Sequence, residues 1–573
     1  MGQGEMTPPK RRWRLPPGGA TGGPAEPDPQ WPLGDARLTR RGLLAATALA
    51  PLASCSRDAS ASYTGGWVGA PHERGHRLRD LSKSGQWPEP AVQRRAGVVV
   101  VGAGIAGLAC ARTLAKSGLD DVQLFDLEDA PGGNSRGHRI AGMACPLGAH
   151  YLPLPGEHAI EVMSLLEELG LRRVEYGRPV YDERHLCHSP QERLFIDGHW
   201  HDGLLPPIAA LPTSDRSDTL AQYRRFGAAV SELGRAQAFT IPTARSRWRP
   251  ELDALDRASF AQWLATQGFT APPLRWYLDY CCRDDYGAGA AQVSAWAGIH
   301  YFASRHGFHA PGDASEERDG VLTWPEGNAW LAERIAAPLR ERIHTGRVAL
   351  RVVESRHDAS VDLWNDAEQH IERWTAQKIV LATPLFISAR LLESPSAALQ
   401  AAAAQLRYAP WLVANLQLDA PLADHPGAAP SWDNVVYGSA GLGYVDAMHQ
   451  STRPHPGPTV LTAYSALGGD TAEQTQANRR RLLDEPWTAW AVRVMQDLST
   501  PHPDLIDKVR RIDLMRYGHA MSIPVPGVRT SAALRALASS SGRVRFAHSD
   551  LSSYSVFEEA FFHGVNAARS IRA

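Results

Sequence analysis

Lysine is scarce in this chain. Among 573 residues it stands only at Lys10, Lys83, Lys116, Lys378 and Lys508, so nearly all cationic charge belongs to arginine. The 60 Lys+Arg balance 61 Asp+Glu to a net charge of −1. Without surplus positive charge, and without a basic stripe interleaved with aromatics, nucleic acid is excluded as a partner. Cysteine is sparse too: Cys55, Cys110, Cys145, Cys187, Cys281 and Cys282. None lies in a C-x-x-C pair, so neither a zinc site nor a redox dithiol is spelled out, and no metal is expected. Long apolar runs are missing. The strongest, ending at Ala50, is about half of the ~20 residues a spanning helix needs. With 43% hydrophobic residues the remainder reads as a globular chain long enough for two domains.

Residues 1–38 are rich in Pro, Gly and Arg and show no periodicity. Then come Thr39-Arg40-Arg41-Gly42-Leu43-Leu44, an apolar segment, and Leu52-Ala53-Ser54-Cys55. Paired arginines, a modest apolar stretch and small residues before a cysteine resemble a twin-arginine signal that ends in a lipoprotein box. That resemblance implies export of the folded chain by the twin-arginine machinery. It also implies a lipid on Cys55 as the sole membrane attachment, and residence on the periplasmic side of a bacterial envelope. On this reading residues 1–55 are the signal and 56–95 a polar tether.

After Arg95 the pattern changes. Gly97-Val98-Val99-Val100-Val101 is a short β-branched run of the kind found in a buried parallel strand. It leads into Gly102-Ala103-Gly104-Ile105-Ala106-Gly107, a helical stretch to Lys116, and a second strand Val122–Phe125 that ends at Asp126. Gly102 permits a tight turn, Gly104 lets a pyrophosphate approach the backbone, and Gly107 lets helix and strand pack closely. The helix start at Ile105 and Ala106 offers free N–H groups and a positive dipole end. Asp126 stands where ribose hydroxyls need an acceptor. The expected fold is α/β, with a Rossmann-type dinucleotide domain.

Downstream, Glu128-Asp129-Ala130-Pro131-Gly132-Gly133-Asn134-Ser135-Arg136 places a double glycine after the acid-ending strand. This resembles the extended FAD fingerprint of the flavin-containing amine oxidase, phytoene desaturase and protoporphyrinogen oxidase superfamily. The family's arginine after the double glycine is here Asn134, with Arg136 two residues on. Gly148-Ala149-His150-Tyr151 resembles the family segment beneath the flavin ring. Ala382-Thr383-Pro384 resembles its strand returning to the cofactor, and Val348 lies where the family contacts adenine through backbone. Val544–Asp550, followed by a helix from Phe557, resembles the closing strand and helix, in which the acid holds the ribityl chain. His548 and Glu559 replace the usual small residues there. The resemblance implies bound FAD and an interleaved architecture: FAD-binding segments 96–155, 321–400 and 513–573, and an α+β substrate-binding domain from 156–320 and 401–512. Gly438–Gly443 has the wrong spacing for a second nucleotide site and reads as a hairpin or loop.

Arg275–Gly287 and Ser294–Phe302 form the densest aromatic clusters. They suit either the wall of an apolar cavity or a packed helical core in which Arg283 bridges Asp284 or Asp285. Many family members place a lysine near the flavin, in the strand matching Tyr408–Asn415; none is present here. Tyr517, Tyr554 and Phe557 are candidates for an aromatic cage, and His519 for a base. The resemblance implies hydride removal from a small amine or amine-like substrate, with electrons leaving to oxygen, a quinone or a protein. A desaturase or isomerase of an apolar isoprenoid, and a flavoprotein scaffold without catalysis, are the alternatives.

Overall fold

The computed structural model describes residues 63–572, apart from positions 86, 88, 189, 236–237, 306 and 313–319. Arg40, Arg41 and Cys55, and with them the export signal, lie outside the described residues. Two sheets organise the rest.

The first sheet has strands in the order Ile343–His344, Val122–Phe125, Val92–Val101, His370–Leu381, Ala359–Asn365 and Arg347–Glu354, with Val544–Phe546 beside His370–Leu381. Its centre is parallel: Val98–Val101 pairs with Val122–Phe125 on one side and Lys378–Leu381 on the other. Val98, Val99, Val100 and Val101 are all buried because both sheet faces are covered, which explains an unbroken apolar run instead of an alternating one. The helices Ile105–Lys116 and Phe557–Arg572 lie against each other so closely that a Cβ on Gly564 would come within 2.1 Å of the Ala106 carbonyl.

The second sheet has eight strands, in the order Thr64–Trp67, Val509–Ile523, Arg407–Leu418, Thr459–Ala466, Tyr444–Asp446, Asp433–Val436, Glu192–Ile196 and His199–Asp202. The helices Thr213–Gly234, Phe260–Thr266, Pro272–Tyr286 and Ala295–Ala303 bury Tyr223, Phe226, Phe260, Leu278 and Ile299 in the same apolar core as sheet residues Leu194 and Val413. The chain thus alternates between a Rossmann-type half and an α+β half, the class expected from the sequence.

Three expectations are corrected. Residues 63–95 are not a tether. Thr64–Trp67 pairs in parallel with Arg511–Leu514, and His72–Ser84 is a helix that buries Leu78 and pairs Arg74 with Asp129 and Asp366. The helix escaped notice because its few apolar residues are spread among arginines and histidines. Second, Val509–Ile523 belongs to the second sheet, so the final return to the first comes at Val544, later than residue 513. Third, Arg283 pairs with Asp279 at 3.1 Å, not with Asp284 or Asp285. Gly438–Gly443 does connect two antiparallel strands, Asp433–Val436 and Tyr444–Asp446.

Candidate active site

The strand ending at Val101 turns sharply at Gly102, whose φ is 101° and whose N–H donates to the Phe125 carbonyl at 2.7 Å. A Cβ on Gly107 would sit 1.8 Å from the Gly102 carbonyl oxygen, so the turn and the first helical turn after it are in direct backbone contact. Gly104 caps the helix without a side chain, and a Cβ there would meet nothing nearer than Gly133 Cα at 3.9 Å. The helix therefore presents its first unpaired N–H groups to open space. Gly132 donates its N–H to Ala103 O at 2.8 Å, which holds the double glycine against this turn.

Asp126 lies buried at the end of the neighbouring strand. Its carboxylate accepts N–H bonds from Ala103 at 2.6 Å and Glu128 at 2.8 Å. Arg347 N–H donates to the Asp126 carbonyl and Gly346 N–H to that of Glu128, which brings Val348 alongside. Ala382 N–H donates to Val101 O, so Ala382 and Thr383 follow the strand end directly beside Gly102.

Asp550 follows the third strand end and is fully buried. Its Oδ2 accepts from Leu385 N–H at 2.8 Å and from the Tyr408 hydroxyl at 2.5 Å, while Oδ1 accepts no hydrogen bond and lies 3.2 Å from His548 Nδ1. Burial works against the Asp550 charge, yet His548, Tyr408 and the Leu385 N–H together hold it below the usual carboxylate range.

An FAD fits this set of residues. The open helix end at Gly104 suits a pyrophosphate, the Asp126 carboxylate a ribose, and Asp550 Oδ1 a polyol chain. One departure is electrostatic. Arg136 is buried and turns its guanidinium to Glu128 at 3.5 Å, so its charge is shared with a carboxylate. Burial, partly offset by Arg136, raises Glu128 to about 7.

Continuous with the nucleotide cradle lies a cavity lined by Asn134, Gly148, Ala149, His150, Tyr151, Asn328, Trp411, Val413, Tyr464, Tyr517, Met521, Phe557 and Glu558, among others, so that it includes the segment expected beneath the flavin ring. Asn328 caps the helix Ala329–Ala336, receives nothing on its Oδ1, and donates from Nδ2 to Tyr151 O at 2.9 Å. Where the family carries its lysine, the strand Arg407–Leu418 presents Trp411 and Val413 to the cavity.

Two of the four catalytic candidates belong to this wall, Tyr517 and Phe557. The other two do not. Tyr554 is buried and donates to Asp285 Oδ2 at 2.7 Å. His519 lines no cavity described here; its ring packs against Phe386 and Tyr408. A register shift explains the position of His519. Trp411 pairs with Tyr517 and Ala409 with Met521, so Pro410 alone opposes residues 518–520. Strict alternation fails across such a bulge, and Tyr517, Ala520 and Met521 face the cavity while His519 faces away.

A second cavity, of about 760 Å³, shares His150, Tyr151, Pro153, Asp284, Arg305 and Tyr464 with the first. Its wall combines Tyr277, Tyr280, Tyr301, Trp432 and apolar side chains such as Leu205 and Phe308 with Glu192, Asp202, Asp284 and Asp433, so the aromatic cluster lines a cavity of mixed character that holds four acidic side chains. Burial, and then repulsion from Asp285, pushes Asp284 up to about 7. Burial and the neighbouring Asp284 and Glu192 push Asp433 up as well. Burial drives His150 down to about 3, so its ring, stacked on Tyr464 at 4.4 Å, is neutral at physiological pH.

Asp284, expected only as a possible partner of Arg283, thus faces the cavity. A signal for this was present: Tyr277, Tyr280, Cys281 and Asp284 recur at i, i+3, i+4 and i+7 on the helix Pro272–Tyr286 and all line the cavity. For Asp433 and Glu192 there was none, because they meet only through parallel strand pairing.

Arg305 is the cation of the shared wall, 3.7 Å from Asp285. Burial opposes its charge, but Tyr554, Asp285 and Glu558 keep it firmly protonated. Replacing it by methionine strands buried carboxylates. Arg305→Met is expected to cost on the order of 3–5 kcal/mol of stability, read as a lower urea midpoint.

A family model described as flavin containing amine oxidoreductase matches residues 105–572. A protein of Mycobacterium tuberculosis named as a flavin-containing monoamine oxidase, AofH, is 27% identical over 277 residues, which are 48% of this chain and 54% of that protein. The putrescine oxidase of Kocuria rosea is 29% identical over 181 residues, 31% of this chain and 32% of its own. The chain thus spans about half the length of the first of these relatives, and less of the second. Among solved structures, a putrescine oxidase bound to putrescine superposes with a TM-score of 0.61 at 18% identity, covering 84% of this chain and 99% of that one. The cyclohexylamine oxidase of Brevibacterium oxydans gives 0.60 at 19% identity, covering 83% and 98%. These structural likenesses establish the fold.

Proposed function

The chain belongs to the flavin-containing amine oxidoreductase family, and from that premise we propose that it oxidises a small cationic amine. It is an FAD-dependent oxidoreductase. When bound, FAD supplies the acceptor for a hydride from the carbon that bears the amine nitrogen. The observation that carries the substrate reading is the acidic, tyrosine-walled cavity adjoining the nucleotide cradle, with Asp284 on the wall shared by both cavities.

An ammonium group entering this cavity meets acidic side chains and aromatic faces, surroundings that favour a desolvated cation. Asp284, titrating near 7, binds the ammonium and takes its proton, which leaves the nitrogen lone pair free to assist departure of the hydride. His150, Tyr464 and Trp411 orient the substrate and exclude water. The substrate leaves as an iminium that water hydrolyses to a carbonyl compound. The two electrons pass on to oxygen, a quinone or a protein acceptor.

A desaturase or isomerase acting on an apolar isoprenoid is the second reading. It draws on the absence of a lysine from Tyr408–Asn415, the stretch that supplies Trp411 and Val413 to the cavity. Four acidic side chains in the outer cavity weigh against an apolar guest. Anaerobic addition of a panel of mono- and diamines is expected to bleach the flavin absorbance, whereas a lipid extract leaves it unchanged. Bleaching by lipid alone would favour the second reading, and bleaching by neither would favour a scaffold without catalysis.

We also propose that the chain is exported folded by the twin-arginine route and held by a lipid on Cys55 at the periplasmic side of the envelope. The support is the order Arg40-Arg41, apolar segment, Cys55. No helix among the described residues is long and apolar enough to cross a membrane. Cys55→Ala is expected to move the protein from the membrane fraction to the soluble periplasmic fraction, and paired Arg40→Lys and Arg41→Lys to retain it in the cytoplasm.

A further inference from the structure

Next to Tyr444 of the outer cavity wall, three side chains converge. His425 lies in the loop between the strands Arg407–Leu418 and Asp433–Val436. His502 and Asp504 lie in the turn between the helices Trp487–Ser499 and Leu505–Lys508. Each offers one ligand atom within 4.8 Å of the other two. His425 Nε2, His502 Nδ1 and Asp504 Oδ1 are all buried atoms, and none has a hydrogen-bond partner in the protein. His502 is only 1% exposed. Three unsatisfied polar atoms in one place are costly unless something binds them.

Two of the three groups, His502 and Asp504, are held from behind by hydrogen bonds. His502 Nε2 lies 2.7 Å from the Tyr444 hydroxyl, and in the tautomer that donates its N–H there Nδ1 is left as a lone-pair acceptor. Asp504 Oδ2 accepts from Lys508 Nζ at 2.6 Å and from Ala423 N–H at 2.7 Å, which holds the carboxylate with Oδ1 turned inward. Outer-shell bonds of this kind set the tautomer and the orientation of metal ligands. With His425 Nε2 unprotonated as well, three lone pairs converge and repel unless a cation lies between them.

We propose that His425, His502 and Asp504 bind a divalent metal of borderline softness, zinc first, with water completing the coordination. Two imidazoles and one carboxylate suit zinc, which takes such atoms at about 2.0–2.2 Å. The bound ion ties the loop carrying His425 to the end of the helix Trp487–Ser499. Through His502 it also steadies Tyr444, a residue of the outer cavity wall. No sequence motif announces the site, because one ligand is contributed from a loop distant in sequence from the other two.

The test uses the FAD-loaded chain, stripped with a chelator and titrated with Co²⁺ and then Zn²⁺. Saturable uptake of one Co²⁺ per chain is expected, with visible absorption of a low-symmetry nitrogen–oxygen site that Zn²⁺ abolishes. Zn²⁺ should also raise Tm. His425→Ala and Asp504→Asn should weaken binding beyond the roughly 10- to 100-fold that loss of an outer-shell partner costs, and Tyr444→Phe should fall within that range. Retained flavin colour reports that each variant is folded. Wild-type protein without saturable uptake would overturn the proposal, even if every variant misfolds. Equal uptake by wild type and Asp504→Asn would overturn it too.

Discussion

Gly107→Ala will yield protein that purifies without flavin colour. The new methyl group would lie 1.8 Å from the Gly102 carbonyl oxygen and 3.2 Å from Ala382 Cβ. The Gly102 oxygen is backbone in a turn pinned by a 2.7 Å hydrogen bond to Phe125, so it has no cheap way to retreat. The helix must move outward instead, and with it the N–H groups that face the open space at Gly104. The flavin-to-protein ratio is expected to fall to near zero. Gly75→Ala is the control: its Cβ would meet nothing within 4 Å on the helix His72–Ser84, and wild-type flavin content is expected.

Asp284→Asn is expected to lower kcat/KM for a cationic amine by roughly 10- to 100-fold, the effect of losing a hydrogen bond to a charged group. The pH dependence distinguishes this charge from a structural role. Burial and the nearby Asp285 raise Asp284 to about 7, so the carboxylate that holds an ammonium exists above that pH and is lost below it. Affinity for the amine should therefore strengthen as pH rises through about 7, and this rise should be absent in Asp284→Asn. A wild-type profile without that rise would remove Asp284 from the amine site.

The nucleotide half was legible because its parts are local in sequence. A β-branched strand, three glycines, a helix and an acid follow one another from Val98 to Asp126, and each imposes its geometry on its neighbour. Asp550 was legible only through family resemblance, since its convergence on Gly102 depends on three strands ending in register. The acidic cavity was harder. Asp433 and Glu192 become neighbours through parallel pairing, which leaves no periodic trace in either segment. His519 was misplaced for a different reason. From Tyr517 to Met521 period-2 alternation is suspended by the bulge opposite Pro410, so parity counted along the sequence points the wrong way. The segment 63–95 was misjudged because composition hid a helix whose buried face holds little more than Leu78.

Activity depends on a flavin nucleotide held between the turn at Gly102–Gly107 and the strand end at Asp550. Heat-denaturing purified wild-type protein and identifying the flavin released tests this most directly. One FAD per chain, absent from Gly107→Ala, is the predicted result. Protein that is colourless when made in riboflavin-supplied cells, and takes up no FAD when the nucleotide is added, would contradict it.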